Sequence, residues 1–97
     1  MCVVRADRLR IVGRLLDAIR MHPTYARTRQ FAFANINVDI GREIADCLEP
    51  KGFLRISHFG SRYNYQITTQ GLLLLKQINW CYDALADKVE VGVMLVA

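Results

Sequence analysis

A chain of 97 residues, 53% of them hydrophobic, can bury one core but not two, and apolar surface beyond that core's needs points to an oligomer interface. Its net charge of +4 is unevenly placed: residues 1–66 hold eleven cations (ten Arg and Lys51) against six acids, whereas residues 67–97 hold Lys76 and Lys88 against Asp83, Asp87 and Glu90. Cys2, Cys47 and Cys81 form no C-x-x-C pair and no Cys/His cluster, which argues against a zinc module or a disulfide scaffold.

Met1-Cys2-Val3-Val4 is too short for a signal-peptide core, because Arg5, Asp7, Arg8 and Arg10 follow at once, and no uncharged apolar run is long enough to cross a bilayer. The expectation is a soluble protein of a reducing cytoplasm. A basic, arginine-rich body fits a polyanionic partner, since the guanidinium matches phosphate geometry.

Residues 6–21 read as an amphipathic helix, with Leu9, Val12, Leu16 and Ile19 on one stripe and Leu15 beside it. Pro23 stops it, and Thr24 or Thr28 is the candidate cap of a short second helix, 28–34, around Phe31 and Phe33. Asn35-Ile36-Asn37 reads as a turn with Asn37 as N-cap of a third helix, whose inward face is Ile40, Ile44, Cys47 and Leu48. Pro50 and Gly52 end that helix, the glycine suiting a left-handed position.

The period then drops from 3.6 to 2. Phe53–His58 and Tyr63–Ile67 alternate as strands around the turn Phe59-Gly60-Ser61-Arg62, which makes a β-hairpin that must lean on the helices. Thr68 caps a last helix, from about Thr69 to Val89 or beyond. Leu74, Ile78, Cys81 and Leu85 repeat at the spacing of a heptad seam, so they are the expected dimer interface. The tail Val89–Ala97 suits either a helical extension or a strand. The domain reading is a body over 1–68 and a dimerisation helix with an apolar tail over 69–97, together one domain.

Three helices, a hairpin and a helix, joined by turns this short, is the order of an α+β winged helix-turn-helix. The stretch Thr28-Arg29-Gln30-Phe31-Ala32-Phe33-Ala34-Asn35-Ile36-Asn37 resembles the T-R-x-x-x-x-A-N-L-S second helix and turn of small archaeal winged-helix DNA-binding proteins. Ile40, Ile44, Leu48 and Gly52-Phe53-Leu54 are similar to that group's third helix running into its first strand, and Tyr65–Gly71 to its second strand and T-x-x-G helix start. The match covers residues 28 to about 88. The loop His22–Arg27 is longer than usual for the group, and the valine-rich tail has no counterpart. The resemblance implies double-stranded DNA binding by a homodimer held through an antiparallel coiled coil, as a regulator or a chromatin component in the nucleoid.

On that fold the third helix enters the major groove. With its apolar face turned inward, Val38, Asp39, Arg42, Glu43 and Asp46 point outward. Arg42 is the candidate for a bidentate contact to guanine, and Asn37 for a phosphate or an adenine. The alternative for Arg42 is an ordinary ion pair with Asp46. Arg27, Thr28 and Arg29 open the second helix, where backbone phosphate commonly docks. Arg55 on the outward face of the first strand and Arg62 at the hairpin tip complete the expected DNA contacts.

Tyr63 and Tyr65 are assigned to the packed face of the second strand, and His58 to a turn. No cofactor, metal or catalysis is expected: His22 and His58 sit apart from any Ser/Asp/Cys constellation, and no glycine-rich phosphate loop is present. Three functions remain open on these residues: a sequence-selective regulator, a non-specific architectural DNA binder, and a winged-helix protein-interaction module.

Overall fold

In the computed structural model, residues 8–96 are described, with side chains to residue 84 apart from that of Phe59. Cys2 and the proposed helix start at residue 6 therefore lie outside the described residues, as does the Leu85 side chain. The elements run α1 (Leu9–Met21), α2 (Arg27–Ala34), α3 (Val38–Leu48), β1 (Leu54–Phe59), β2 (Arg62–Ile67) and α4 (Thr69–Val96).

The apolar stripe of α1 places Val12, Leu15, Leu16 and Ile19 in the core. No threonine caps α2. Its N-cap is Ala26, in extended backbone with no side-chain bond, and Thr28 is already inside the helix. Two successive amides instead find the Ala26 carbonyl, from Arg29 at 2.9 Å and Gln30 at 3.0 Å.

The other end of α2 turns off at Asn35, left-handed at φ 57°, with Ile36 N–H bonded back to the Phe31 carbonyl at 2.9 Å and Asn35 N–H to Ala32 at 3.0 Å. Asparagine is one of the few residues with a side chain that visits this region at low cost. Arg14 of α1 then covers the freed carbonyls, donating to Ala34 O at 3.0 and 2.6 Å and to Asn35 O at 2.7 Å.

Helix α3 starts as its sequence indicates. The Asn37 side-chain oxygen Oδ1 accepts from Asp39 N–H at 2.8 Å, and Ile44, Ala45, Cys47 and Leu48 are buried. Gly52, at φ 82°, closes it: Phe53 N–H reaches the Leu48 carbonyl at 3.1 Å and Gly52 N–H reaches Glu49 at 3.0 Å. This is the paired bond pattern of a helix ended by a left-handed residue.

The antiparallel hairpin pairs Leu54 with Ile67, Ile56 with Tyr65 and Phe59 with Arg62. Gly60 at φ 61° takes the first central position of a two-residue turn, tighter than the sequence pattern alone indicates. Leu54 and Tyr65 enter the core at 2% and 0% exposure, while Arg55 and Gln66 point outward.

One buried side chain fastens this hairpin to the helices. The Gln30 amide donates to the Tyr65 carbonyl at 2.9 Å and to the His22 carbonyl at 3.0 Å, and its oxygen accepts from Tyr65 N–H at 3.2 Å. It behaves as a third strand of one residue, satisfying the edge of β2 that β1 leaves open. Asn64 adds a second tie, donating to the carbonyls of Pro23 at 2.6 Å and Tyr25 at 2.7 Å.

Thr68 starts α4 by accepting from Gly71 N–H at 3.0 Å while its hydroxyl donates to the Gly52 carbonyl at 2.6 Å. The helix packs on α1 and β2 and continues to Val96, so the tail takes the helical alternative. Its heptad positions differ among themselves. Ile78 is 3% exposed, and Leu74 packs against the chain's own core; both residues are used within the fold. Cys81 is half-buried with its thiol free. Among the described residues of α4, the large apolar side chains left in solvent are Leu72, Leu73 and Trp80, at 37%, 51% and 70% exposure. Leu73 and Trp80 are seven residues apart, hence on one stripe. The seam residues were chosen by a heptad rule that does not distinguish a helix packing on its own body from one packing on a partner.

Candidate nucleic-acid interface

The first turn of α2 carries Arg27, Thr28 and Arg29, and both arginines lie over tyrosine rings. The Arg27 guanidinium is 4.1 Å from the Tyr63 ring centre and that of Arg29 is 4.2 Å from Tyr25. Tyr25 in turn stacks on His22 at 4.3 Å, and His22 meets the edge of Phe33 at 4.2 Å. Such contacts restrict long, rotamer-rich side chains, so the two guanidinium groups are held beside a helix N-terminus rather than free to wander. Tyr63, assigned to the packed face, is 38% exposed: it lies beyond the core, between Arg27 and His58. His58 itself is a strand residue in β1, its ring 5.3 Å from that of Tyr63.

Burial pushes the Tyr65 hydroxyl above its ordinary pKa, and the positive charge of Arg27 pulls the other way.

On α3 the outward residues are placed as the periodicity requires: Val38 is 42% exposed, and Asp39, Arg42, Glu43 and Asp46 are all exposed. Their partners separate them. Glu43 is engaged by Arg8 at 3.0 Å, so its carboxylate is partly neutralised within the fold. The alternative pairing of Arg42 with Asp46 does not form, and among the described residues Arg42 has neither an ion pair nor a side-chain hydrogen bond. The Asn37 oxygen is committed to the helix cap, which leaves only its NH₂ for a partner.

Arg62 is exposed next to the hairpin turn, and Arg55 is exposed directly across from Gln66. Neither has an ion-pair partner among the described residues. The acids of this region are confined to α3: residues 50–82 carry Lys51, Arg55, Arg62 and Lys76 and no carboxylate.

Two solved structures are similar to this chain in fold. A DNA-binding protein from Sulfolobus solfataricus, Sso10a-2, superposes with a TM-score of 0.82 over 91% of this chain and 90% of its own, at 24% identity. The fold is a winged helix. A second winged-helix match is the PcaV transcriptional regulator from Streptomyces coelicolor, solved with its natural ligand, at a TM-score of 0.65 and 17% identity over 96% of this chain and 72% of the other. No protein-family model matches the sequence, and no curated protein is similar to it.

Within this winged helix, α2 and α3 form the helix-turn-helix, the hairpin is the wing, and α4 is the added C-terminal helix. The tyrosine-held arginines of α2 had only a weak sequence signal, two cations around a threonine. Their rings come from Tyr25 and Tyr63, one in a loop and one on a strand, and no local pattern joins those positions. Among the described residues no helix is long and apolar enough to cross a membrane, and no acid, cysteine and histidine cluster could hold a metal.

Proposed function

We propose that this chain binds double-stranded DNA as a homodimer and acts as a transcriptional regulator, with α3 in the major groove and the wing on flanking backbone or minor groove. The observation that carries the reading is the set of uncompensated arginines on a winged helix: Arg42 on α3, Arg62 at the wing tip, and Arg27 and Arg29 held at the start of α2. Both matched structures carry names that say DNA binding or transcriptional regulation. Arg42 reads a base edge, while Arg27, Thr28, Arg29, Arg55 and Arg62 position the backbone. Val38 and Asp39 lie at the groove end of α3. Asn37 offers its NH₂ there, and Glu43, engaged by Arg8, contributes least.

Binding of a random duplex over a salt series tests this. Affinity should fall steeply with salt, log K against log salt having a slope of about −0.9 per phosphate neutralised. Arg62→Ala should weaken binding several-fold on all sequences alike and reduce the slope by about one. An unchanged slope would remove the wing from the contact surface.

The carboxylates Asp39, Asp46 and Glu49 on and beside α3 favour a second reading, architectural binding through the backbone alone, because they repel phosphate near the base-reading helix. A selected sequence bound no better than random DNA would establish it. No binding even at low salt would leave a protein-interaction module.

The homodimer reading rests on α4. Leu72, Leu73 and Trp80 are exposed apolar side chains on a helix running on to Val96. The body over 1–68 and the helix from 69 then serve as reader and coupler. Replacing both Leu73 and Trp80 with alanine should give a monomer at micromolar concentration by sedimentation. A dimer that survives both changes would place the interface elsewhere on the chain.

A further inference from the structure

We propose that the cleft between the 23–26 loop and β2 is a binding site for a small organic monocarboxylate with a flat apolar body, an anion of the benzoate class. The site goes beyond DNA binding and does not rest on it.

The loop between α1 and α2, longer than is usual for the group the sequence resembles, has no part in the helix-turn-helix itself. Its residues Pro23, Thr24 and Ala26 form one wall of a cleft of about 260 Å³, and Arg62, Tyr63, Asn64 and Gln66 of β2 form the other. Ligand sites commonly run from about 300 Å³ upward, so this one suits a molecule of about one ring. The cleft is also preformed. Asn64 spends its amide hydrogens on the carbonyls of Pro23 at 2.6 Å and Tyr25 at 2.7 Å, and Gln30 joins the His22 carbonyl to that of Tyr65. The loop is therefore fastened to the strand before anything binds, and a preformed site loses less entropy on binding.

The lining selects the charge of the occupant. It holds one cation, Arg62, and no carboxylate, and Arg62 has no ion pair among the described residues. A second guanidinium, that of Arg27, lies 4.1 Å from the Tyr63 ring centre, so the surroundings are positive as well. The Thr24 hydroxyl and the Gln66 amide make no side-chain hydrogen bond among the described residues and are open to the same anion. Pro23 and Ala26 supply apolar surface for its body. A bare inorganic anion would leave that surface unused, and an uncharged ring would leave Arg62 without the carboxylate that its planar fork matches.

Sodium benzoate is the probe, titrated at constant ionic strength into the isotope-labelled full chain while backbone amides are followed by NMR. The amides of Thr24, Ala26, Asn64 and Gln66 should move together and saturate, with a Kd on the order of 1 mM. Arg62→Gln should weaken binding on the order of tenfold or more, the loss of a charge-assisted pair. Lys76→Gln, on α4 and outside the cleft lining, removes the same charge and should change binding less than about twofold. Benzamide, of the same shape without the charge, should bind at least about tenfold more weakly than benzoate. Shifts that fail to saturate by about 20 mM, equal effects of the two variants, or equal binding of benzamide would each overturn the site. No duplex enters these measurements, so the site and the DNA-binding reading fail separately.

Discussion

Gln30→Met is expected to lower the unfolding free energy by on the order of 4 kcal/mol, with a matching fall in the urea midpoint. Methionine is unbranched and close in length, so it fills the space and removes only the amide. Two buried backbone groups then lose their partner, Tyr65 N–H and Tyr65 C=O, while the His22 carbonyl keeps only its bond from Tyr25 N–H at 3.2 Å. An orphaned buried polar group costs roughly 1–3 kcal/mol, and Gln30 is 0% exposed, so water does not replace it without opening the core. Against a typical stability of about 5–15 kcal/mol, that loss is severe. The damage should also be local at first, since these bonds tie β2 to α2. Amide exchange at Tyr65 should accelerate more than exchange within α1. A loss below about 1 kcal/mol would mean that the strand edge finds another partner.

Gln30 also shows where sequence reading ends. It lies inside a stretch that carries a family resemblance, yet glutamine is mildly helix-favouring and usually solvent-exposed. Nothing in its neighbours says that it faces a strand thirty-five residues away. By contrast, the element order was legible throughout, because each boundary is set by a short-range cause: the Asn37 cap, Gly52 at positive φ, Gly60 in the turn, Thr68 at the start of α4. Where a local cause was assigned and was absent, as at Thr24 and Thr28, the helix began one residue earlier on backbone bonds alone.

The candidate interface was legible in part for the same reason. Periodicity alone turned Arg42 and Asp39 outward and Ile44 inward. It did not distinguish Arg42, which has no ion pair, from Glu43, which is taken by Arg8, because that pairing joins α3 to the beginning of α1. The heptad on α4 is a different case. Leu74 and Ile78 do lie on an apolar stripe, but α1 already occupies it: Ile78 lies 3.0 Å from where a Cβ on Gly13 would stand. A helix apolar on several faces has more than one stripe, and which one is left for a partner depends on how the body is packed. Leu72, Leu73 and Trp80, outside the seam, are the described apolar side chains of α4 that remain in water.

Gly71→Ala should be nearly as damaging as the loss of Gln30, and its sign is the instructive part. In a helix interior, glycine to alanine ordinarily stabilises by up to about 1 kcal/mol, by reducing the freedom of the unfolded chain and improving helix propensity. At Gly71 the added Cβ would stand 2.0 Å from the Phe53 carbonyl oxygen and 2.7 Å from the Ile67 side chain. The first obstacle is backbone and does not rotate away. Either α4 slides off the start of β1, stretching the Thr68 bond to Gly52, or β1 bends outward. Overpacking of this kind costs roughly 1–3 kcal/mol and sometimes more, so a net loss of about 2–3 kcal/mol in urea unfolding is expected. A stabilised Gly71→Ala protein would show that α4 does not approach β1 this closely. Because α4 carries the exposed Leu73 and Trp80, displacing its first turn also re-aims the surface proposed to hold the dimer. The variant should therefore lose dimerisation together with stability, whereas the paired Leu73 and Trp80 substitutions, on exposed positions, should lose dimerisation with the fold of each chain intact.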